Sequence, residues 1–362
     1  MSLLKKFFIL LLEKKIKKNE KEFPFNDINS ILIRPIGEAI GDAVIHTAHI
    51  SQLKQIFPNA KIGVITKKSN EIIFKNSKLV DIIINRKLIN YFLQFKKWDL
   101  LLDFENNFNS SSLLMDRIIM PKYNVIFMKR YKKHYNTDSI DSYNFHFKQK
   151  ETEKLGNYLK NSVFNQKYNL QEPHSILHTN KILDFYYDKY YWTDNKVRVL
   201  LCPQGSKRQI PEIELANLLN SSTIHSISNK IEYVLSYTIT SKSYYHNLIK
   251  LCPNLNIKYS KETTLVEFFS LTKSSNLVIA VDGGALHIAC AFNKPLLSFF
   301  ADARPNLDIW EPLLPKDIPH HRILTPKTHN PNLTEHFIIS DGIKWLLYYL
   351  QLYSTKLDKE LI

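Results

Sequence analysis

Apolar residues fall in short uninterrupted blocks, and between the blocks they recur at helical spacing. In SILIRPIGEAIGDAVIHTAHISQLKQIFP, residues 30 to 35 read as a buried strand and the segment from about Asp42 to Ile56 as a helix. Val44, Ile45, Ala48, Leu53 and Ile56 lie near helical spacing, and Pro58 stands just beyond the end. KIGVIT follows as a second strand, then VDIII at 80 to 84 and WDLLLDF at 98 to 104. A strand, loop, helix, strand order builds parallel sheets, so the first half reads as doubly wound. From about 130 to 195 the chain is rich in Tyr, Asn, Lys and His with few strand signals, which suits an acceptor-side insertion and a linker. RVLLCPQGS at 198 to 206 reopens the pattern, with IPEIELANLL as the next helix, IEYVLSYTI and NLVIAVD as strands, and GGALHIACAF as a helix start. The expected fold is α/β, two Rossmann-like domains facing across a cleft. Its expected parts are a basic amphipathic segment at 1–27, a first Rossmann-like domain at 28–190, a second at 191–345 and a C-terminal helix or tail at 346–362. No solenoid-period repeat and no long Gly, Ser or Pro linker interrupts this order.

Composition adds limits. The 362 residues are 44% hydrophobic and 23% charged, the balance of a folded globular chain. Cys202, Cys252 and Cys290 are too far apart for a disulfide framework or a zinc site, and they read as buried thiols in a reducing compartment. A net charge of +15 points to an anionic partner, a phosphorylated substrate, nucleic acid or an acidic membrane leaflet, although the Lys, Asn and Ile bias of the chain supplies part of it. No helix-turn-helix, zinc or RNP-like pattern supports nucleic acid. The stretch SLLKKFFILLLEKKIKK is too short to span a bilayer and lacks a signal-peptide cleavage site. As a helix it sets Leu4, Phe8, Leu11 and Leu12 on one side and most lysines elsewhere, which suits either a headgroup region or the protein's own surface.

Only eight glycines occur, so their positions are informative. Gly37 and Gly41 lie within GEAIGDAVIHT, where Asp42 marks the passage from strand to helix. A carboxylate there is a general base at the ligand edge of a parallel sheet or a helix cap. The G-x-x-x-G spacing is not that of a dinucleotide fold. In CPQGSKRQIPE, Gly205, Ser206, Lys207 and Arg208 offer amides, a hydroxyl and two cations, as a diphosphate needs or as a solvated basic turn displays. In IAVDGGALHIACAF, Asp282 ends a strand, Gly283 and Gly284 precede a helix beginning near Ala285, and His287 lies in its first turn. Such a start holds a phosphate through its amides and dipole, with His287 as a donor or as a structural histidine.

These motifs, in this order and at these distances, resemble glycosyltransferase family 9, the lipopolysaccharide heptosyltransferases. The resembling stretches, WDLLLDF among them, cover about a third of the chain and lie in both halves. The resemblance implies a GT-B arrangement, with an acceptor-binding domain at 28–190 and a nucleotide-sugar-binding domain at 191–345, and an inverting, metal-independent single displacement, with ADP-heptose as donor and no cofactor. It places the family's base on Asp42, its phosphate-binding basic residue on Arg208 and its D-T-G-x-x-H motif on Asp282, Gly283, Gly284 and His287. Gly283 replaces the usual threonine, Arg208 a more usual lysine and Ile210 an aromatic residue, and the acidic residue after the strand near 233 to 239 is absent.

The expectation is therefore a cytoplasmic glycosyltransferase, peripheral to the inner membrane. It would move heptose from ADP-heptose to the lipopolysaccharide or lipooligosaccharide inner core. Its partners would be a nucleotide-sugar donor, a lipid-linked oligosaccharide acceptor and an anionic membrane surface, with no nucleic acid. The departures at Gly283 and Ile210 leave two alternatives open: another nucleotide sugar on the same fold, and a non-catalytic relative that binds the acceptor.

Overall fold

The computed structural model describes residues 14–360, so the apolar half of the N-terminal amphipathic segment lies outside the described residues. The chain divides into two compact units between Ile176 and Leu177. That division comes earlier than the 190 expected. Residues 177–190 pack with the second unit: Asp184 accepts from Ser270 Oγ at 2.7 Å and pairs with Lys273 at 2.7 Å, and Tyr187 is buried in that unit's core.

The first unit holds strands β1 (Ser30–Arg34), β2 (Lys61–Thr66), β3 (Ile82–Asn85), β4 (Leu100–Asp103), β5 (Tyr123–Ile126) and β6 (Phe145–His146), in the order β3-β2-β1-β4-β5-β6. All of its pairings are parallel. Strands covered on both faces need unbroken apolar runs, and the ILI of β1 and LLL of β4 supply them, fully buried. The helix Ile40–Ile56 buries residues around most of its circumference, from Ala43 to Ile56. Gly63 in β2 has a packing role. A Cβ built there would lie 2.3 Å from the Trp98 ring, so the indole occupies the space that a side chain would need.

The second unit holds β7 (Val197–Cys202), β8 (Ile231–Leu235), β9 (Ile257–Tyr259), β10 (Leu277–Val281), β11 (Leu296–Asp302) and β12 (His320–Lys327), in the order β12-β11-β10-β7-β8-β9. Counted from β7, this is the same parallel 3-2-1-4-5-6 winding as in the first unit, so each unit is Rossmann-like. The C-terminal stretch expected as a separate helix or tail belongs to this unit: the helix Ser340–Glu360 buries Leu346 and Leu350 in its core. Cys202, Cys252 and Cys290 are buried free thiols, as expected. No helix among the described residues is long and apolar enough to cross a membrane.

Candidate functional site

In an open sheet wound 3-2-1-4-5-6, ligands bind beyond the carboxyl ends of the two strands where the order reverses. These are β1 and β4 in the first unit and β7 and β10 in the second. All three sequence motifs fall at these points: Asp42 follows β1, Gly205 to Arg208 follow β7, and Asp282 to His287 follow β10.

After β1 the chain turns through Pro35 to Ala39 into the helix Ile40–Ile56. Gly37 has φ +66°, and a Cβ built on it would sit 2.0 Å from Asp42 Oδ2, so two independent constraints demand glycine. Asp42 lies in the third position of the helix, and its Oδ2 accepts from the N–H of Ala39, the capping residue, at 3.0 Å. Burial raises its carboxyl from 3.8 to about 6, outweighing the backbone bonds from Ala39 and Glu38 and reinforced by the nearby charge of Glu105.

The same turn is pinned from every side. Arg86 reaches Glu38 Oε1 at 2.8 Å and Gly37 O at 3.4 Å, Lys67 pairs with Glu38, and Asn70 Nδ2 donates to Glu38 O at 2.9 Å. Ile36 N–H donates to His46 Nε2 at 2.9 Å. A backbone N–H can only donate, so the His46 proton sits on Nδ1 and is given to His49 Nδ1, 3.1 Å away. His49 then donates from Nε2 to Leu155 O at 2.9 Å. Burial keeps both rings neutral, His46 well below its usual range and His49 at about 4. Replacing Gly37 by Ala puts a side chain into the left-handed region, at a cost of about 1–2 kcal/mol. Thermal unfolding of the Gly37→Ala protein is expected to shift down accordingly.

Beside the turn opens a polar cavity of about 450 Å³ lined by Arg34, Glu38, Arg86, Glu105, Asn109 and Lys132, among others. Behind it lies a buried charge cluster that the sequence reading did not single out. Lys129 Nζ is 2.7 Å and Arg34 Nη1 3.5 Å from Asp103 Oδ2, and these two cations hold Asp103 below the usual carboxylate range despite its burial. Burial, with Asp103 adding repulsion, raises Asp116 to about 8. Between about 4 and 8 the folded chain keeps a proton on Asp116 that the unfolded chain releases, so stability falls as pH rises through that window. Asp116→Asn removes this dependence: its melting temperature is expected to match wild type near pH 4 and exceed it most at pH 8 and above. The available signals were a charged residue closing an apolar strand, at Arg34 and Asp103, and an acid at a buried position of the helix Ser110–Ile119.

In the second unit the β7 and β10 loops meet. A Cβ on Gly283 would lie 3.7 Å from Gly205 Cα, and one on Gly205 would lie 3.3 Å from Asp282 O. Gly205 N–H donates to Arg208 O at 2.8 Å, closing a tight turn that leaves Gly205, Ser206 and Lys207 exposed. Arg208 is half-buried, with Nη1 2.9 Å from Asp282 Oδ2 and Nε donating to Pro331 O at 2.7 Å. The helix that follows runs Gly284–Ala291, one residue earlier than expected, with Gly284 and Ala285 half-exposed at its start. His287 is 3% exposed, and burial lowers it to about 4, so at neutral pH it is an uncharged imidazole. Ile210 is fully buried in the core, so the departure from the aromatic pattern there alters packing. The loops thus bring together Gly205, Arg208, Asp282 and Gly283. Among the described residues no three His, Cys, Asp or Glu side chains are grouped to hold a metal ion.

Residues 238–328, which include Asp282 to His287, match the family model for glycosyltransferase family 9 (heptosyltransferase). No curated protein matches the chain in sequence. Among solved structures it is similar to E. coli ADP-heptose lps heptosyltransferase II, at TM-score 0.65 and 15% identity over 90% of this chain and 99% of that one. It is also similar to the glycosyl transferase family 9 protein from Veillonella parvula, at TM-score 0.66 and 11% identity over 90% and 98%. A third similar structure is E. coli heptosyltransferase WaaC with ADP, at TM-score 0.61 and 12% identity over 89% and 99%. At these identities the structural likeness speaks for the fold alone, and within the second unit residues 238–328 carry the match to the glycosyltransferase family 9 domain.

Proposed function

We propose that the chain is an inverting heptosyltransferase that moves heptose from ADP-heptose onto a lipid-linked oligosaccharide of the lipopolysaccharide or lipooligosaccharide inner core, at the cytoplasmic face of the inner membrane. The observation that carries this reading is the meeting of the Gly205 turn, Arg208 and the Gly283–Gly284 helix start at the carboxyl edge of β7 and β10, a site suited to a diphosphate. The E. coli structure solved with ADP supports adenine as the base.

In this reading Arg208, Lys207 and the amides of Gly284 and Ala285 neutralise the departing ADP, with Ser206 and His287 as uncharged donors. Asp282 keeps Arg208 in place. Asp42 takes the proton from the acceptor hydroxyl as its oxygen bonds to the anomeric carbon and the bond from that carbon to the diphosphate breaks. Positive groups fixed in advance where charge develops are usually the largest catalytic contribution. The polar cavity lined by Glu38, in the turn that leads to Asp42, takes the acceptor end in this scheme.

A second reading keeps the fold and changes the donor. Gly283 supplies no hydroxyl where the family has threonine, and only ordinary contacts surround its Cα. Calorimetric titration with ADP, UDP and GDP in the presence of a chelator separates the readings. Selective ADP binding supports the first, preference for UDP or GDP supports the second, and no binding at all overturns both in favour of a non-catalytic relative.

A further inference from the structure

The first unit carries an apolar surface strip that neither the family match nor the scheme above uses. Between β3 and β4 the sequence RKLINYFLQFKKW forms the short helix Leu88–Phe92 and the turn after it. Leu88, Ile89, Phe92, Leu93 and Phe95 are 53%, 63%, 57%, 58% and 51% exposed, so five of eight consecutive residues present large apolar side chains to solvent. Their spacing of one and four sets Leu88, Ile89, Phe92 and Leu93 on one face. The opposite side anchors the strip: Tyr91 packs on the core cluster that contains Trp98, and Trp98 Nε1 donates to Gln94 Oε1 at 3.2 Å.

Single exposed apolar residues are ordinary on a surface, whereas a contiguous group marks something to be covered. The charge pattern says what covers it. Lys87 stands at one end and Lys96 and Lys97 at the other, all exposed and in no ion pair among the described residues. A low apolar ridge with cations at both ends matches the profile of a bilayer surface, where acyl chains lie beneath anionic headgroups. The strip also adjoins the turn after β1, because Tyr91 and Arg86 line the same cavity as Glu38.

We propose that residues 87–97 dock the protein on an anionic lipid surface, with Leu88, Ile89, Phe92, Leu93 and Phe95 entering the headgroup boundary and the three lysines pairing with lipid phosphates. This brings the cavity lined by Glu38 and Glu105 to the membrane plane, where the head of a lipid-linked acceptor lies. The inference deepens the proposed function in its membrane part. Vesicle binding is scored without donor or acceptor, so a failed transfer assay and a failed docking assay are separate results.

The test uses the full chain and vesicles of phosphatidylcholine with or without phosphatidylglycerol, read by flotation. Wild type is expected to float with the mixed vesicles. The Ile89→Ser/Phe92→Ser/Leu93→Ser protein, which alters only exposed positions, is expected to lose at least about tenfold in partitioning. Lys87→Glu/Lys96→Glu/Lys97→Glu is expected to abolish the preference for phosphatidylglycerol. In a second measurement Phe92→Cys carries an environment-sensitive fluorophore, selective because the native cysteines are buried, and its emission is expected to shift to the blue with mixed vesicles. Unchanged flotation of the triple serine protein, which would assign binding to another segment such as residues 1–13, overturns the proposal. So does an unshifted label, and so does a wild-type dimer in sedimentation that the serine substitutions dissolve while vesicle binding persists.

Discussion

Replacing Asp42 by Asn is expected to lower turnover about 10²- to 10⁴-fold, the usual contribution of a positioned general base. Asn keeps an oxygen that can accept the Ala39 N–H, so the helix start and the melting temperature should hold, and nucleotide affinity should be unchanged because that site lies in the other unit. The wild-type pH profile carries the same signature. A base must be deprotonated to act, and burial sets Asp42 at about 6, so kcat/KM should rise with pH through about 6 and level off above it. A flat profile between 5 and 7, or an Asn variant that retains activity, would leave Asp42 only its backbone bond to Ala39.

Arg208→Ala has the second large effect. Its guanidinium is the half-buried cation at the meeting of the β7 and β10 loops, and its removal takes a positive charge from beside the carboxylate of Asp282, which is 6% exposed. A charge-assisted hydrogen bond contributes about 1.5–3 kcal/mol. ADP affinity by calorimetry should therefore fall roughly 10- to 100-fold. Without the Arg208 charge beside it the Asp282 carboxylate also repels the diphosphate more strongly, so Arg208→Ala/Asp282→Asn should recover part of the loss. Arg208→Lys should retain more affinity than Ala because the charge stays, and less than wild type because a lysine cannot reach Asp282 and Pro331 O with a planar fork.

The legible features were those written in local pattern. Strands β1, β2, β4, β7 and β10 are apolar runs with sharp ends, and the motifs at their carboxyl ends are what the topology brings to the two switch points. Strand β6 is two residues long inside a Tyr- and Asn-rich stretch, and nothing local distinguishes it from a loop. The sequence puts the unit boundary at 190, later than the division at 176, because Leu183 and Tyr187 look like linker residues until a core closes over them. The cluster of Arg34, Asp103, Asp116 and Lys129 leaves signals at single positions in the sequence, but none that joins them. Its members come from four separate segments, and only the β1–β4 pairing and the helix Ser110–Ile119 make them neighbours. At Gly283 the scarcity of glycine suggested a side chain would be harmful, yet a Cβ there meets only ordinary contacts, so the structure gives the protein itself no packing need for glycine.

The most direct test of the central claim is a transfer assay with purified protein, ADP-heptose, a lipopolysaccharide inner-core acceptor and a metal chelator, read by mass spectrometry. The account predicts that the acceptor gains one heptosyl residue with inverted anomeric configuration while ADP appears in equal amount. Intact ADP-heptose beside unmodified acceptor, or transfer only from a different nucleotide sugar, would contradict it.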